Sequence, residues 1–259
     1  KGANSVANNT VLGEGALDAA VTGNNNTAIG KDALTSHTSG SNVTAVGAFA
    51  LDSNTTASNN SAFGYGSLGS NTTGTQLTAV GVNALTSNTT GNYNIATGHA
   101  ALTSNTTGQF NCAFGRVALT NNVTGNYNNA FGDSALETNT GSNNSAFGYQ
   151  ALEANTTAAN NTAVGYHSLK VNTTGINNVA VGANALDAAT TANNNSAIGY
   201  DALTNNTASN NTAVGRDAML SNTTGTTNVG VGSFALDANT EGSNNTAIGH
   251  GSLGANTTA

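Results

Sequence analysis

The 259-residue chain has no proline, no tryptophan, one cysteine, one methionine and only 7% charged residues. The single cysteine, Cys112, excludes an intrachain disulfide framework, and no Cys/His cluster suggests a metal site. Five basic residues are too few to follow the phosphates of a nucleic acid. No apolar run reaches the roughly 18 residues of a membrane-spanning helix. We therefore expect a protein without cofactor, metal, nucleic-acid partner or membrane span.

The residues that are abundant, Asn, Thr, Ala and Gly, recur at a fixed period. The glycine that closes each Ala-aliphatic-Gly triplet recurs from Gly13 to Gly249 in fourteen intervals, twelve of 17 residues and two of 16. The unit reads Asn-Asn-Thr-Ala-Val-Gly-x-x-Ala-Leu-x-x-Asn-Thr-Thr-Gly-x. Both shorter intervals fall at the Asn-Thr-Thr-Gly segment, which indicates a turn there. So strict a period favours a repeat fold over a disordered, low-complexity coil.

A 17-residue unit is too short for two packed helices and their turns. Thr-Ala-Val is a short β-compatible run, and Gly and Asn supply the positive φ angles that tight corners need. The sequence therefore predicts an all-β fold, a parallel β-solenoid of about fifteen coils, each built as strand, turn, strand, turn. We expect 1–259 to form a single repeat array, with 1–12 and 250–259 as end coils that cap it or join it to another copy.

One leucine stands four residues after almost every repeat glycine, and Met219 replaces it once. Stacked coils place equivalent residues above one another about 4.8 Å apart, so these leucines form a column in the coil interior. The Val, Ile or Phe before each glycine is predicted to share that interior. The leucine ladder comprises Leu34, Leu51, Leu68, Leu85, Leu102, Leu119, Leu136, Leu152, Leu169, Leu186, Leu203 and Leu236.

Neighbouring strand residues face opposite sides, so the alanine before each Val, Ile or Phe is predicted to face outward. An outward column that stays small suggests the close approach of another chain. The alternative is that alanine merely suits a narrow coil. This predicted interchain face, the alanine column, includes Ala28, Ala45, Ala62, Ala79, Ala113, Ala146, Ala163 and Ala197.

Residues 25–30 (Asn-Asn-Thr-Ala-Ile-Gly), 160–165 and 244–249, each followed by x-x-Ala/Ser-Leu, resemble the head repeats of trimeric autotransporter adhesins. They are more similar still to the Asn-Thr-Thr-Gly repeat arrays of phage-type tail fibres. The resemblance implies a left-handed parallel β-roll that trimerises and binds ligands on its outer surface. The chain differs from the adhesin heads in its longer period and in lacking a coiled-coil stalk.

No catalytic arrangement is visible in the sequence. His37, His99, His167 and His250 fall in different coils, without an acidic partner at triad or metal-ligand spacing. Carboxylates that recur just after the leucines are expected to be a solvated edge that discourages sheet aggregation. A lyase or glycosidase on a β-helix would need a clustered carboxylate or basic site, so we predict that the chain is not an enzyme.

Asn-x-Thr/Ser sequences, which are acceptors for N-glycosylation, recur along the Asn-Thr-Thr corner. In such an Asn- and Thr-rich chain the match arises partly from composition. The predicted acceptors are Asn54, Asn71, Asn88, Asn105, Asn155, Asn172 and Asn222.

The function expected from these features is a structural or adhesive fibre module of an extracellular filament, a virion tail fibre or a cell-surface adhesin. Its expected partners are further copies of itself, as a trimer or an end-to-end filament, and surface glycans or a host receptor. The alternative is an ice-binding or glycan-binding solenoid that exposes Asn/Thr columns, such as Asn71 with Thr73 and Asn88 with Thr90.

Overall fold

Each repeat contributes one short strand, made by the triplet that precedes the repeat glycine. A computed structural model describes residues 8–258, so the predicted end coil at 1–12 lies mostly outside the described residues. The strands are β1 (Thr10–Leu12), β2 (Thr27–Ile29), β3 (Thr44–Val46), β4 (Ser61–Phe63), β5 (Thr78–Val80), β6 (Ile95–Thr97), β7 (Cys112–Phe114), β8 (Asn129–Phe131), β9 (Ser145–Phe147), β10 (Thr162–Val164), β11 (Val179–Val181), β12 (Ser196–Ile198), β13 (Thr212–Val214), β14 (Val229–Val231) and β15 (Thr246–Ile248).

The chain divides into two units, Lys1–Asn128 and Asn129–Ala259. Strands β1–β7 of the first unit pair in parallel and in sequence order. Strands β8–β15 of the second unit do the same. The register sets each residue against its counterpart in the next coil, as Ala28 against Ala45. The predicted all-β parallel solenoid is confirmed in each unit, and its left-handed sense stays a prediction.

The predicted second strand of each coil is wrong. The Ala-Leu segment lies in consecutive turns, and every ladder leucine has a positive φ, 55° at Leu34 and 52° at Leu85. A left-handed backbone costs an L-residue about 1–2 kcal/mol. Hydrogen bonding between coils accompanies it, because the Leu34 N–H donates to the Ala50 carbonyl oxygen at 3.1 Å in the next coil.

The repeat glycine has a geometric cause. Gly30 has a φ of 134°, and a Cβ atom there would lie 2.5 Å from the carbonyl oxygen of Gly47 in the next coil. No side chain fits between backbones that approach so closely. This position therefore fixes the spacing of the coils and explains why glycine recurs there without exception.

The leucine ladder lies in the interior, and all twelve of its predicted members have no exposed surface. The alanines that directly precede the leucines, such as Ala33 and Ala50, are also buried. The apolar side chains that fill this interior are one leucine and small alanines in each coil, so the interior is narrow.

The prediction that the alanine column faces outward is wrong. Ala28, Ala45, Ala62, Ala79, Ala113, Ala146, Ala163 and Ala197 are fully buried within the chain. They cannot touch another chain, because they pack on the leucine ladder from the strand side. The larger residues on either side of each alanine face outward instead.

A compensating pair of exceptions shows how tightly the two columns fit. Gly230 replaces alanine in one coil, and Met219 replaces leucine in the coil before it. A Cβ atom on Gly230 would lie 3.0 Å from Met219 Cγ and 3.2 Å from its sulfur. The longer methionine therefore occupies the space that alanine's methyl group fills elsewhere.

Candidate functional site

The predicted glycosylation column is buried. Asn54, Asn71, Asn88, Asn105, Asn155, Asn172 and Asn222 have no exposed surface. They form an asparagine ladder, in which Asn88 Nδ2 donates to Asn71 Oδ1 at 2.9 Å and to the Gly91 carbonyl at 3.1 Å. A glycan on this nitrogen would replace one of the two donated hydrogens and could not fit inside the coil. The folded chain therefore does not offer these asparagines as acceptors.

A second buried asparagine column precedes the strands. Asn94 Nδ2 donates to the Gly108 carbonyl at 2.7 Å, and its Oδ1 accepts the Asn111 backbone N–H at 2.9 Å. Sequence reasoning did not identify this column as interior. The signal was present, because an asparagine directly before the strand recurs through most of the units.

The Asn/Thr surface required by the ice-binding alternative is absent at the predicted pairs. Thr73 and Thr90 are exposed, but their partners Asn71 and Asn88 point into the coil. The corner therefore presents threonine hydroxyl groups without the neighbouring amides.

The outer sheet face consists of the first and third residues of each strand. Large apolar side chains are exposed on it, including Phe63 at 42%, Val80 at 38%, Phe147 at 40% and Ile198 at 43%. None of the outward residues of β1–β15 is charged. In the second unit Phe131 and Phe147 stack with their ring centroids 4.8 Å apart. Apart from Cys112 and Asn129, the face is thus a run of apolar and hydroxyl side chains along each unit.

The two positions after the repeat glycine carry four exposed tyrosines, Tyr65, Tyr149, Tyr166 and Tyr200, together with polar side chains. Tyr149 and Tyr166 stack at 5.7 Å, and His167 Nε2 lies 2.9 Å from Gln150 Oε1. Nearby, the Lys170 ammonium lies 3.6 Å from Glu153. Desolvation lowers the pKa of His167. These contacts hold the surface together within the second unit.

A notch of about 260 Å³ opens on the equivalent surface of the first unit. Gly66 and Gly69 form its floor, where the flanking coils carry side chains. Its lining also includes the aromatic rings of Phe49 and Tyr65 and the polar side chains of Asp52, Ser53, Ser70, Asn83 and Thr86. Desolvation raises the pKa of Asp52, and the nearby charge of Asp32 acts in the same direction.

His37 takes an asparagine's place in the ladder and is fully buried. Its Nδ1 lies 2.8 Å from Asn54 Nδ2, and its Nε2 lies 2.8 Å from the Gly40 carbonyl oxygen. Because the amide donates and the carbonyl accepts, we assign the ring proton to Nε2. Burial lowers the pKa of His37, while the bond to Gly40 opposes that shift.

Over residues 8–258, no three His, Cys, Asp or Glu side chains are grouped so that they could hold a metal ion. Within the same range, no helix has the length and hydropathy to cross a bilayer. Comparison with protein-family models and with curated proteins finds no match to the chain. The resemblance to adhesin heads and tail-fibre repeats therefore stays a prediction.

Proposed function

We propose that the chain is a non-enzymatic structural or adhesive module of an extracellular fibre, at a cell surface or on a virion, that associates with further copies of itself. The observation that carries this proposal is the outer sheet face. Soluble monomers rarely expose contiguous apolar surface of this kind, and such patches mark interaction sites. The face replaces the alanine column as the expected contact between chains.

A second copy is the partner that best suits this face. The exposed side chains repeat with the coil period, so an identical face offers ridges and gaps of the same spacing. The face carries no charge that would select an oppositely charged partner. Burial of apolar area would contribute about 25 cal/mol per Å² removed from water.

The test is the mass of the protein in solution across a range of concentrations. Wild type is expected to form a discrete oligomer, and the double variant Val80→Lys/Val164→Lys to be monomeric, because two buried ammonium groups would lack partners. The matched control is Thr73→Lys/Thr174→Lys, which adds the same charge at exposed corner positions and should leave the oligomer intact.

A wild-type protein that stays monomeric at high concentration would contradict the proposal. Masses that grow without limit and ignore the valine substitutions would indicate end-to-end joining of terminal coils instead. Cys112 adds an independent measurement because it lies on the outer sheet face, so a thiol crosslinker should join copies through it.

A further inference from the structure

The notch lies at the one coil between the two ends of the array that has glycine at two positions where other coils carry side chains. Each coil normally carries a side chain two residues and five residues after the repeat glycine. The coil before the notch has Phe49 and Asp52 there, and the coil after it has Asn83 and Thr86. The notch coil has Gly66 and Gly69 there, so no side chain extends from this coil at either position.

One wall of the notch is aromatic. Phe49 and Tyr65 meet edge to face with their ring centroids 5.7 Å apart, and Tyr65 is 55% exposed. The contact with Phe49 limits the orientations of the tyrosine ring, so its exposed surface is held as a platform beside the floor. Rigid aromatic surface of this kind contributes contact area at low cost in conformational entropy.

The remaining lining is polar and uncharged except for one carboxylate. Asp52 can accept hydrogen bonds, and the amide of Asn83 can both donate and accept. Thr86 Oγ1 donates to the Gly66 carbonyl at 2.8 Å, so this hydroxyl oxygen can still accept a hydrogen bond. No cation lines the notch, and Asp32 adds a second negative charge close to Asp52.

We infer that this notch binds one neutral sugar residue of a glycan, with its C–H face on Tyr65 and its hydroxyl groups on Asp52 and Asn83. The volume of about 260 Å³ is below that of pockets for drug-sized ligands and suits a single ring. An acidic sugar would be repelled by the two carboxylates. A purely apolar ligand would leave the carboxylate and the amide without partners.

This inference does not rest on self-association. The notch lies on the surface formed after the repeat glycine, whereas the outer sheet face lies before it. A monomeric variant of the outer sheet face should therefore bind sugar as wild type does. The two proposals can fail separately.

Gly69→Thr is the most informative variant, because neighbouring coils show that threonine fits this position. Thr86 and Thr103 occupy it, and their hydroxyl groups donate to the carbonyls of Gly66 and Asn83, both at 2.8 Å. In the variant the new hydroxyl group would have the Phe49 carbonyl as its equivalent acceptor. The variant should fold normally and fill the notch.

The experiment measures binding by ligand-observed NMR with a panel of neutral hexoses, N-acetylhexosamines, a uronic acid and a sialic acid. We expect a neutral sugar to bind the wild-type protein. Gly69→Thr and Tyr65→Ala should each weaken this binding about tenfold or more, a loss of about 1.4 kcal/mol. Tyr200→Ala is the matched control, because Tyr200 occupies the same repeat position beside Asp201 and Thr204 rather than two glycines.

Absence of binding by every neutral sugar to a folded wild-type protein would overturn the inference. Undiminished binding by Gly69→Thr would overturn it as well, since the sugar would then bind elsewhere. Selective binding of the sialic or uronic acid would contradict the role given to Asp52.

Discussion

The ladder position lacks an asparagine at Ala20 and His37 in the first unit and at Ala189 in the second, and the interruptions at His37 and Ala189 differ. His37 keeps the ladder connected, because Asn54 still finds an acceptor on the imidazole and Gly40 still finds a donor. Ala189 offers neither, and Asn172 Oδ1 is buried without a partner. A buried polar atom left without a hydrogen bond costs about 1–3 kcal/mol. A residue at this position therefore preserves the ladder only if its side chain can both donate and accept hydrogen bonds.

Removing the imidazole should convert the first interruption into one like the second. His37→Ala is expected to destabilise the protein by about 2–4 kcal/mol, because it leaves a cavity and removes one partner each from Asn54 and Gly40. Urea unfolding followed by circular dichroism measures the change. Ser36→Ala, at the exposed neighbouring residue, is the control and should be near neutral. Equal midpoints for the two variants would show that the ladder contributes nothing at this coil.

Restoring an amide should repair the second interruption. Ala189→Asn is expected to stabilise the protein by about 1 kcal/mol, because its Nδ2 would donate to Asn172 Oδ1 as in the uninterrupted coils. The measurement is the shift of the unfolding midpoint. Ala188→Asn, at the half-buried neighbouring residue, should not stabilise. Destabilisation by Ala189→Asn would mean that this coil has closed around the alanine.

The third prediction concerns pH and has the smallest expected effect. Burial lowers the pKa of His37, so the folded state favours the neutral imidazole over the charged form. Its contribution is therefore complete above the unfolded pKa of about 6.5 and is lost as the pH falls from there towards the folded pKa. His37→Asn should remove this decline in the free energy of unfolding while keeping the ladder.

Unfolding curves for both proteins between about pH 7.5 and about pH 5.5, one unit either side of the unfolded histidine pKa, measure the difference. The groups around His37 are the amides of Asn26 and Asn54 and the Gly40 carbonyl, none of which titrates. The raised pKa values of Asp52 and Asp187 make the free energy of unfolding increase as the pH falls, which is opposite to the effect of His37. This contribution is the same in wild type and in His37→Asn, so it cancels in the comparison. Parallel pH profiles would rule out His37 as the titrating group.

Much of the fold could be predicted from the sequence, because the period alone sets which residues lie above one another. The parallel register, the corner at Asn-Thr-Thr-Gly and the buried leucine ladder follow from spacing. The notch could not be predicted, because Gly66 and Gly69 read as ordinary substitutions at variable positions. Only the folded surface reveals that their missing side chains adjoin Tyr65 and Asp52.

The prediction of which strand residues lie inside is wrong because side-chain size does not decide burial in this coil. A large apolar residue normally favours burial, but the ladder leucine already fills the narrow coil, so alanine is the residue that fits opposite it. One signal in the sequence could have corrected this. Met219 and Gly230, the exceptions in the two columns, compensate in size, as expected only if the columns face each other.

The sequence by itself determined the repeat and the stacking of each residue on its own counterpart, because a fixed period in a parallel sheet permits only one register. Tertiary structure decided which side of each strand is buried. In a three-residue strand, either the middle residue or its two neighbours can face the interior. The choice depends on the space that the ladder leucine leaves across the coil, and that space admits alanine but not valine. That decision also determined which asparagines are unavailable to glycans and which apolar face is available to another chain.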